Sequence, residues 1–404
     1  MNLQLSQRVR RVTLSANAAA KSRVTELREA GLDILDLTTG EPDFDTPAPI
    51  KQAALAALER GETKYTATPG TRALRQAIQR KLLAENRLGF ELAHIVVGNG
   101  AKGIIFNAFA ATLDDGDEVL VPVPYWPTFP DSVRFNGGLP VLLDCPLEQG
   151  CKLTAQQLQA AIGPRTRWLI LNSPGNPSGA LYSQAELLAL AEVLRAHPQV
   201  WVLLDELYEH IRFDGQPPLN LLNVAPDLGD RCLLVGGVSK TYAMTGWRIG
   251  FGAGPRELTQ AMTVVQSQSA SGASSVGQAA AVAAFEGGLE FLKPQVAAYR
   301  ERRDALVAAL APVSGLQVLV PQGGFFVFVQ CAGLIGHWRP DGRQIGSDAD
   351  LVEWFLEQGV AVIAGSAYGA SPWFRVSIAA ATDSVREAGR RLALACERLS
   401  EVRQ

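Results

Sequence analysis

A lysine that directly follows an apolar, strand-like run is the residue whose placement most strongly suggests chemistry. Lys240 comes after the run at 231–238, within the string Ser-Lys-Thr-Tyr-Ala-Met-Thr-Gly-Trp-Arg at 239–248. A lysine kept from water loses its proton readily, and the free amine can form a Schiff base with an aldehyde. Arg248 can offer a forked donor to a phosphate. If the chain had only an isolated Ser-Lys pair, an exposed lysine and an arginine at the edge of the core would be sufficient explanations. The complete string instead favours a functional site.

A glycine-rich turn at 98–103, with the sequence Gly-Asn-Gly-Ala-Lys-Gly, is a second candidate. Its spacing fits the G-x-G-x-x-G of dinucleotide-binding folds, which also need an acid at the end of the next strand. Here Asp117 and Glu118 precede the strand-like run at 119–123, which disfavours a nicotinamide oxidoreductase. The turn still predicts free N–H groups at a helix start, where a phosphate binds well. A plain tight turn is the structural alternative.

Composition limits the possible partners. The chain has 404 residues and a net charge of −3, so it has no basic excess for nucleic acid or an anionic membrane surface. Its five cysteines are scattered and its four histidines show no metal-ligand spacing, which predicts neither disulfides nor a metal site. No apolar run is long enough to span a membrane, and no signal peptide is recognisable. We therefore expect a cytoplasmic protein that binds neither nucleic acid nor membrane.

The middle of the chain alternates apolar strand-like runs with helical windows. Strand-like runs at 94–98, 118–123, 168–172, 201–207, 231–238 and 248–253 are separated by helical stretches such as 101–113 and 183–195. This alternation predicts an α/β fold whose large domain has a mostly parallel sheet flanked by helices. We expect the large domain at 49–287, and a small α+β domain built from both termini, residues 1–48 and 288–404.

Six further segments have recognisable motifs. They are Gly-Glu-Pro-Asp-Phe-Asp-Thr-Pro at 40–47, Lys-Tyr-Thr at 64–66 with Pro-Gly at 69–70, Pro-Val-Pro-Tyr-Trp at 122–126, Asn-Ser-Pro-Gly-Asn-Pro-Ser-Gly at 172–179, Asp-Glu-Leu-Tyr at 205–208, and Phe-Arg-Val-Ser at 374–377. Together with the lysine string, and in this order, they resemble class I aminotransferases that use pyridoxal 5'-phosphate (PLP). The similarity runs from about residue 10 to 398, and it points to the bacterial aspartate aminotransferase branch.

The resemblance implies roles around the ring of PLP, which would be carried by Lys240. Asp205 is expected to pair with the ring nitrogen, which keeps the ring protonated and able to accept electrons. Trp126 is expected to stack on the ring. Asn176 and Tyr208 are expected to donate to its 3-oxygen. Lys240, Asp205 and Tyr208 are the catalytic candidates. The structural alternatives are a turn cap for Asp205, a core tryptophan for Trp126, a turn asparagine for Asn176 and a core-edge tyrosine for Tyr208.

The resemblance also implies ligands for the phosphate of PLP. Ser239 and Arg248 are expected to bind it, with Ala101 and Lys102 adding N–H groups from a helix start. Tyr65 resembles a ligand supplied by a partner subunit, which implies a homodimer with shared sites. Many relatives have serine at the position of Gly237; the hydroxyl that would contact the phosphate is therefore missing here.

Substrate contacts follow from the same resemblance. Arg375 is expected to grip the α-carboxylate through two hydrogen bonds, and the backbone of Gly40 to close over it. A distal carboxylate needs a cation, for which Lys102 is the candidate, with help from Ser15. The complete set of expected substrate-binding residues is Gly40, Trp126, Asn176, Arg375, Lys102 and Ser15.

The leading functional prediction is an aminotransferase that moves an amino group between an L-amino acid, with aspartate favoured, and a 2-oxo acid such as 2-oxoglutarate in a ping-pong reaction. The alternatives are a PLP lyase or decarboxylase on the same fold, and an aminotransferase for prephenate or aromatic substrates. A non-catalytic PLP-binding sensor domain is disfavoured because Lys240, Asp205 and Arg375 are all present.

Overall fold

The computed structural model describes residues 4–14 and 16–402, with the side chains of residues 16–19 left undescribed. Its strands, in chain order, are β1 (Leu35–Asp36), β2 (Ile95–Asn99), β3 (Glu118–Val123), β4 (Leu139–Asp144), β5 (Thr166–Asn172), β6 (Trp201–Asp205), β7 (Cys232–Gly237), β8 (Ile249–Ala253), β9 (Gln317–Leu319), β10 (Phe326–Gln330), β11 (Val360–Ala361), β12 (Ile363–Ala364) and β13 (Trp373–Ser377).

The α-helices in the same part of the chain are α1 (Gln7–Arg10), α2 (Ala16–Glu29), α3 (Ala48–Glu59), α4 (Arg72–Asn86), α5 (Gly100–Thr112), α6 (Thr128–Phe135), α7 (Ala155–Ala161), α8 (Gln184–Arg195), α9 (Leu221–Val224), α10 (Arg256–Ser269), α11 (Ser275–Glu286), α12 (Leu292–Leu310), α13 (Asp348–Glu357) and α14 (Thr382–Glu397). No helix among the described residues is both long and apolar enough to cross a membrane.

Seven of the described strands form a large sheet in the order β2-β8-β7-β6-β5-β3-β4. Every neighbouring pair is parallel except the two pairs that involve β8, which runs antiparallel to both β2 and β7. Helices cover the sheet on both sides, and so its strands are apolar in consecutive positions rather than in alternate ones. The predicted α/β fold with a mostly parallel sheet is confirmed.

Successive residues of one strand pack into different cores. Leu203 of β6 belongs to the core that also contains Phe325 and Phe326. Its neighbours Val202 and Leu204 belong to a second core on the other face of the sheet. This period of two is the geometry of an extended strand buried on both sides.

The carboxyl ends of the parallel strands bring distant segments of the sequence to one edge. Asn172 at the end of β5 pairs with Asp205 at the end of β6. Because β8 runs antiparallel, the loop from β7 to β8 leaves and re-enters the sheet at this same edge. Gly237 accordingly pairs with Gly250, and Ile249 pairs with Asn99 at the end of β2. The loop at 238–248 therefore lies beside both the end of β6 and the start of α5.

Both ends of the chain contribute to a second structural layer. Strands β12, β13, β10 and β9 form an antiparallel sheet in that order. Strand β1, near the N-terminus, pairs in parallel with β11, and the N–H of Ser377 donates to the carbonyl of Leu37 at 2.9 Å. These contacts are what a small domain built from both termini requires. The division at 48/49 and 287/288 stays a prediction.

Candidate active site

A cavity of about 410 Å³ opens at the carboxyl edge of the large sheet. Of the residues predicted from sequence, it is lined by Gly40, Ala101, Lys102, Trp126, Asn176, Asp205, Tyr208, Ser239, Lys240, Arg248 and Arg375. These residues are far apart in the chain, and the fold alone brings them together. A larger cleft of about 890 Å³ lies elsewhere and contains none of them.

Lys240 points into this cavity with an amine that can lose its proton near neutral pH. Its Nζ donates a hydrogen bond to the carbonyl oxygen of Gly40 and lies 5.9 Å from the ring centre of Tyr208. Burial is the main reason that the pKa of Lys240 is lowered to about 8. The carboxylate of Glu41 opposes this shift, whereas the nearby guanidinium groups support it. A neutral amine is therefore available for attack on a carbonyl carbon.

Asp205 is the last residue of β6, and only 5% of it is exposed. Burial raises the pKa of its carboxyl group to about 7, against the opposing effects of the Leu207 N–H and the charge of Lys240. The Leu207 N–H donates to Oδ1 at 3.2 Å. A buried carboxyl group so close to its ionisation midpoint would gain stability from a cationic partner in the cavity.

Tyr208 lies in the turn after β6, three residues beyond Asp205. Its ring packs edge-on against Phe325 and Phe326, with ring centres 5.3 and 6.0 Å away. These contacts fix the ring in the cavity wall, and burial raises the pKa of the phenol. The hydroxyl group therefore stays protonated at neutral pH and can act as a hydrogen-bond donor.

Arg375 is fully buried on β13 and has no acidic partner among the described residues. Its Nη2 donates to the carbonyl of Thr38 at 2.7 Å, and its Nη1 donates to Oδ1 of Asn176 at 3.2 Å. The guanidinium carbon lies 4.1 Å from the ring centre of Phe326 and 4.9 Å from that of Tyr368. Its Nε is buried without a hydrogen-bond partner. A buried cation with an unsatisfied donor is a site for an anion, such as a carboxylate.

The opposite part of the cavity lies at the start of α5. Ala101 and Lys102 are in the first helical turn, where backbone N–H groups have no partner within the helix. Arg248 extends across this end, with Nη1 donating to the carbonyl of Thr245 at 2.9 Å. Gly100 has a φ of +76°, and a Cβ there would lie only 2.4 Å from Nη2 of Arg248. Backbone donors, the helix dipole and a guanidinium thus converge where a phosphate would bind.

Lys102, Trp126 and Ser239 complete the predicted lining. The Nζ of Lys102 lies 5.1 Å from the ring centre of Trp126. Burial, with help from the charge of Arg248, lowers the pKa of Lys102. Trp126 is half-buried, and Ser239 is 6% exposed. Lys102 therefore has a side chain in the cavity as well as an N–H group at the helix start.

One of the predicted residues that the structure describes does not line this cavity. Tyr65 is 98% exposed and does not line it, so its proposed contact with a partner subunit stays a prediction. Ser15 lies outside the described residues.

Several other residues of the lining have no role predicted from the sequence. Glu41 is the most informative, because its Oε2 accepts a hydrogen bond from Oγ1 of Thr245 at 2.9 Å and its Oε1 lies 3.6 Å from Nζ of Lys21. Glu41 belongs to the Gly-Glu-Pro motif, and this motif is the sequence feature that could have identified it as a residue of the site. Lys21 carried no signal, because nothing in a helical segment near the N-terminus indicates that it reaches this edge of the sheet.

The comparisons with known proteins agree with this geometry. A sequence model for the family described as aminotransferase class I and II matches residues 32–391. The chain belongs to the class I and II aminotransferase family. This aminotransferase is 49% identical to the aspartate aminotransferase of Rhizobium meliloti over 98% of its own length and 97% of the relative's. It is 47% identical to the aspartate/prephenate aminotransferase of Cereibacter sphaeroides, over 98% and 99% of the two chains.

Solved structures are similar over the whole of this aminotransferase. The aspartate aminotransferase from Rhizobium meliloti superposes with a TM-score of 0.96 at 48% identity, covering 99% of this chain and all of that one. The Thermus thermophilus aspartate aminotransferase with maleate superposes with a TM-score of 0.91 at 36% identity, covering 98% and 100%. The predicted family and the predicted transaminase activity are confirmed. The lyase and decarboxylase alternative receives no support from these relatives.

Proposed function

We propose that the chain uses PLP to transfer the amino group of L-aspartate to a 2-oxo acid such as 2-oxoglutarate. The observation that carries this proposal is the pairing of two groups in one cavity. Lys240 has an amine whose pKa is lowered to about 8, and Arg375 is a buried guanidinium with no acidic partner among the described residues. An amino acid needs the arginine for its α-carboxylate and the lysine as the base that moves its Cα proton.

The side chains of the cavity fit PLP. When bound, PLP supplies an electron sink for the carbanion formed at the substrate Cα. Lys240 would hold the cofactor covalently, and the buried Asp205 would keep a proton on its ring nitrogen. The helix start at Ala101 and Lys102, together with Arg248 and Ser239, would hold the phosphate.

Other groups of the cavity wall would orient the ring. Tyr208 and Asn176 would donate to the 3-oxygen of the ring, and Trp126 would stack against its face. The raised pKa of Asp205 supports this fit, because a protonated ring nitrogen would give this buried carboxyl group a cation to pair with.

Lys102 is our candidate for recognition of the distal carboxylate of aspartate. Its side chain lines the cavity beside Trp126, and no acidic side chain in the described part of the chain forms an ion pair with it. A dicarboxylic substrate would present one carboxylate to Arg375 and the other to Lys102. The names of the relatives, aspartate aminotransferase and aspartate/prephenate aminotransferase, support this substrate class.

Prephenate is a second candidate amino-group acceptor for the same site. The observation that favours it is the name of the Cereibacter sphaeroides relative, which acts on both aspartate and prephenate. Prephenate also has a second carboxylate, so the same pair of cations would serve it.

We further propose a homodimer with shared sites and a cytoplasmic location. The exposed ring of Tyr65 supports the first proposal, since burial against a second subunit would remove apolar surface from water.

A panel of amino donors tests the proposed function. The purified protein, with PLP added, is incubated with 2-oxoglutarate and aspartate, alanine, phenylalanine or tyrosine, and glutamate formation is measured. We expect aspartate to be the fastest donor and Lys240→Ala to abolish turnover. A separate assay with prephenate and aspartate tests the second acceptor. Release of carbon dioxide or ammonia without glutamate formation would overturn the proposal in favour of a decarboxylase or lyase.

A further inference from the structure

A buried cluster of charged and polar side chains lies directly behind the turn that carries Asp205 and Tyr208. Lys81 of α4 is 3% exposed, and its Nζ donates to Oδ1 of Asn86 at 2.7 Å and to Oε1 of Glu209. Asn86, 1% exposed, donates from Nδ2 to Oε2 of Glu209 at 2.5 Å. Both carboxylate oxygens of Glu209 therefore accept a hydrogen bond. The two donors, Lys81 and Asn86, belong to α4 and lie 128 and 123 positions earlier in the chain.

The cluster extends through two more side chains. The Nζ of Lys81 lies 3.6 Å from Oε2 of Glu85, and Nε2 of His210 lies 2.9 Å from the same oxygen. Burial raises the pKa of Glu209, but the charges of Lys81 and His210 and the hydrogen bonds outweigh it, so the pKa is lowered overall. Glu209 is therefore an anion at neutral pH, held in place by the cation of Lys81.

The turn that the cluster holds is short and tightly bonded. The N–H of Leu207 donates to the carboxylate of Asp205 at 3.2 Å, the N–H of Glu209 donates to the carbonyl of Glu206 at 3.1 Å, and the N–H of Ile211 donates to the carbonyl of Tyr208 at 2.9 Å. Asp205 and Tyr208 line the cavity, whereas Glu209 and His210 do not. One face of the turn thus carries site groups, and its neighbouring residues anchor it to α4.

We propose that Lys81 and Glu209 are positioning residues for the reaction, because their buried ion pair fixes the turn that aims Asp205 and Tyr208 into the cavity. This proposal rests on the proposed function for the roles of those two site residues. Neither Lys81 nor Glu209 is among the residues that line the cavity.

A positional role explains why the cluster is charged at all. Replacing a buried ion pair with apolar residues is often neutral or favourable for stability, so stability alone is a weak reason for this arrangement. Two hydrogen bonds to one carboxylate instead define a direction and a distance, which apolar packing does not. A site group displaced by 1 Å can lose about a hundredfold in rate.

The test compares Lys81→Met, Glu209→Gln and the double variant with the wild-type holoenzyme, well below each Tm. We measure Tm, kcat, KM and the pH midpoint of the visible absorbance of the bound cofactor. Each single substitution is expected to lower Tm, to reduce kcat about 10- to 100-fold with little change in KM, and to raise the absorbance midpoint. The rise is expected because the hydroxyl of Tyr208 would no longer be held where it stabilises the deprotonated form.

The double variant separates position from uncompensated charge. With both charges of the pair gone, Tm is expected to recover toward the wild-type value, because neither Lys81 nor Glu209 is left as a buried ion without the other. The absorbance midpoint and kcat are expected to stay displaced, because the turn has lost its link to Lys81 and keeps only the hydrogen bond from Asn86. Amide hydrogen exchange of residues 207–211, measured without cofactor, is expected to be faster in all three variants.

Arg339→Met is the matched control. Arg339 is 4% exposed and forms ion pairs with Asp341 and Glu357, outside the cavity. Its loss is expected to lower Tm without moving the absorbance midpoint or kcat. The proposal is overturned if Lys81→Met behaves like this control, or if the double variant has a wild-type midpoint and kcat. A wild-type protein with no visible band and no amino transfer would instead refute the proposed function.

Discussion

At the scale of single residues, the main features of the site are the unusual ionisation properties of its buried groups. Lys240 has a lowered pKa and Asp205 a raised one, both chiefly through burial. Arg375 is fully buried without an acidic partner among the described residues. Each group is costly to bury as an ion, and each would be relieved by a complementary charge on a cofactor or substrate.

Asp205→Asn is expected to separate activity from stability. The amide cannot hold a proton on a ring nitrogen, so amino transfer should fall by several orders of magnitude. The cofactor-free variant should nevertheless be more stable than the cofactor-free wild type at pH 8. Raising the pKa of Asp205 from 3.8 to about 7 on folding costs the wild type about 4 kcal/mol of unfolding free energy at this pH. Urea denaturation between about pH 4 and pH 8 measures the difference.

The sign of this effect follows from the two titrations. Below about pH 4 the carboxyl group is protonated in both the folded and the unfolded state, so the variant and the wild type should differ little. Between about pH 4 and pH 7 the unfolded state ionises first, so the wild type loses stability progressively, and above about pH 7 the difference levels off. A difference that does not change with pH would contradict the assigned burial cost, and near-normal turnover would show that Asp205 is structural.

Lys102→Ala is expected to change specificity. If Lys102 holds the distal carboxylate, kcat/KM for aspartate and glutamate should fall. The loss should correspond to about 1.5–3 kcal/mol of transition-state stabilisation, the free energy of a charged hydrogen bond. Values for alanine and phenylalanine should change little. Steady-state kinetics with the four donors measures this, and Lys293→Ala, an exposed helix lysine outside the cavity, is the control. A uniform loss for all donors that extra PLP restores would assign Lys102 to cofactor binding instead.

At the scale of elements, the local periodicity predicted much of the fold. The strand-like run at 248–253 corresponds to β8 at Ile249–Ala253, and the helical stretch at 101–113 corresponds to α5 at Gly100–Thr112. These segments are readable because apolar spacing is a local property of the chain.

Non-local contacts could not be predicted from the sequence alone. Nothing near Arg375 indicates that it lies between the rings of Phe326 and Tyr368, because strand pairing between β10 and β13 creates that environment. The contact between Lys81 and Glu209 spans 128 positions, and neither residue stands out by type. The motif order predicted which residues meet in the cavity, but their burial and hydrogen bonds depend on the packed fold.

Gly250→Ala is expected to disturb the phosphate end of the site through the packing of β8 against α5. A Cβ at this position would lie 2.3 Å from the backbone nitrogen of Ala101, so the start of the helix must move. Overpacking of this kind costs about 1–3 kcal/mol, and we expect cofactor affinity to fall about tenfold or more. Fluorescence or absorbance titration with PLP measures the affinity.

Gly229→Ala is the control for this substitution, because a Cβ there meets no atom within 4 Å. It should leave cofactor affinity unchanged. Wild-type affinity in Gly250→Ala would show that the start of α5 does not contribute to phosphate binding.

At the scale of the whole molecule, the expectation is a homodimer in which Tyr65 completes the neighbouring site. Mixing Tyr65→Ala and Lys240→Ala subunits under exchange conditions tests this. Each variant alone should be weak or inactive. In a mixed dimer one site would have both native groups, so about a quarter of all sites should recover activity after equal mixing. Activity that stays at the average of the two parents, or full activity in a demonstrated monomer, would contradict shared sites.

We propose that Lys240 is the covalent carrier of PLP, and borohydride reduction followed by peptide mapping identifies the carrier residue. The purified holoenzyme is reduced, digested and examined by mass spectrometry for the residue that carries the reduced cofactor. We expect one modified peptide, which contains Lys240, and no such peptide after incubation with excess aspartate before reduction. Attachment of the cofactor to another lysine, or no attachment at all, would contradict it.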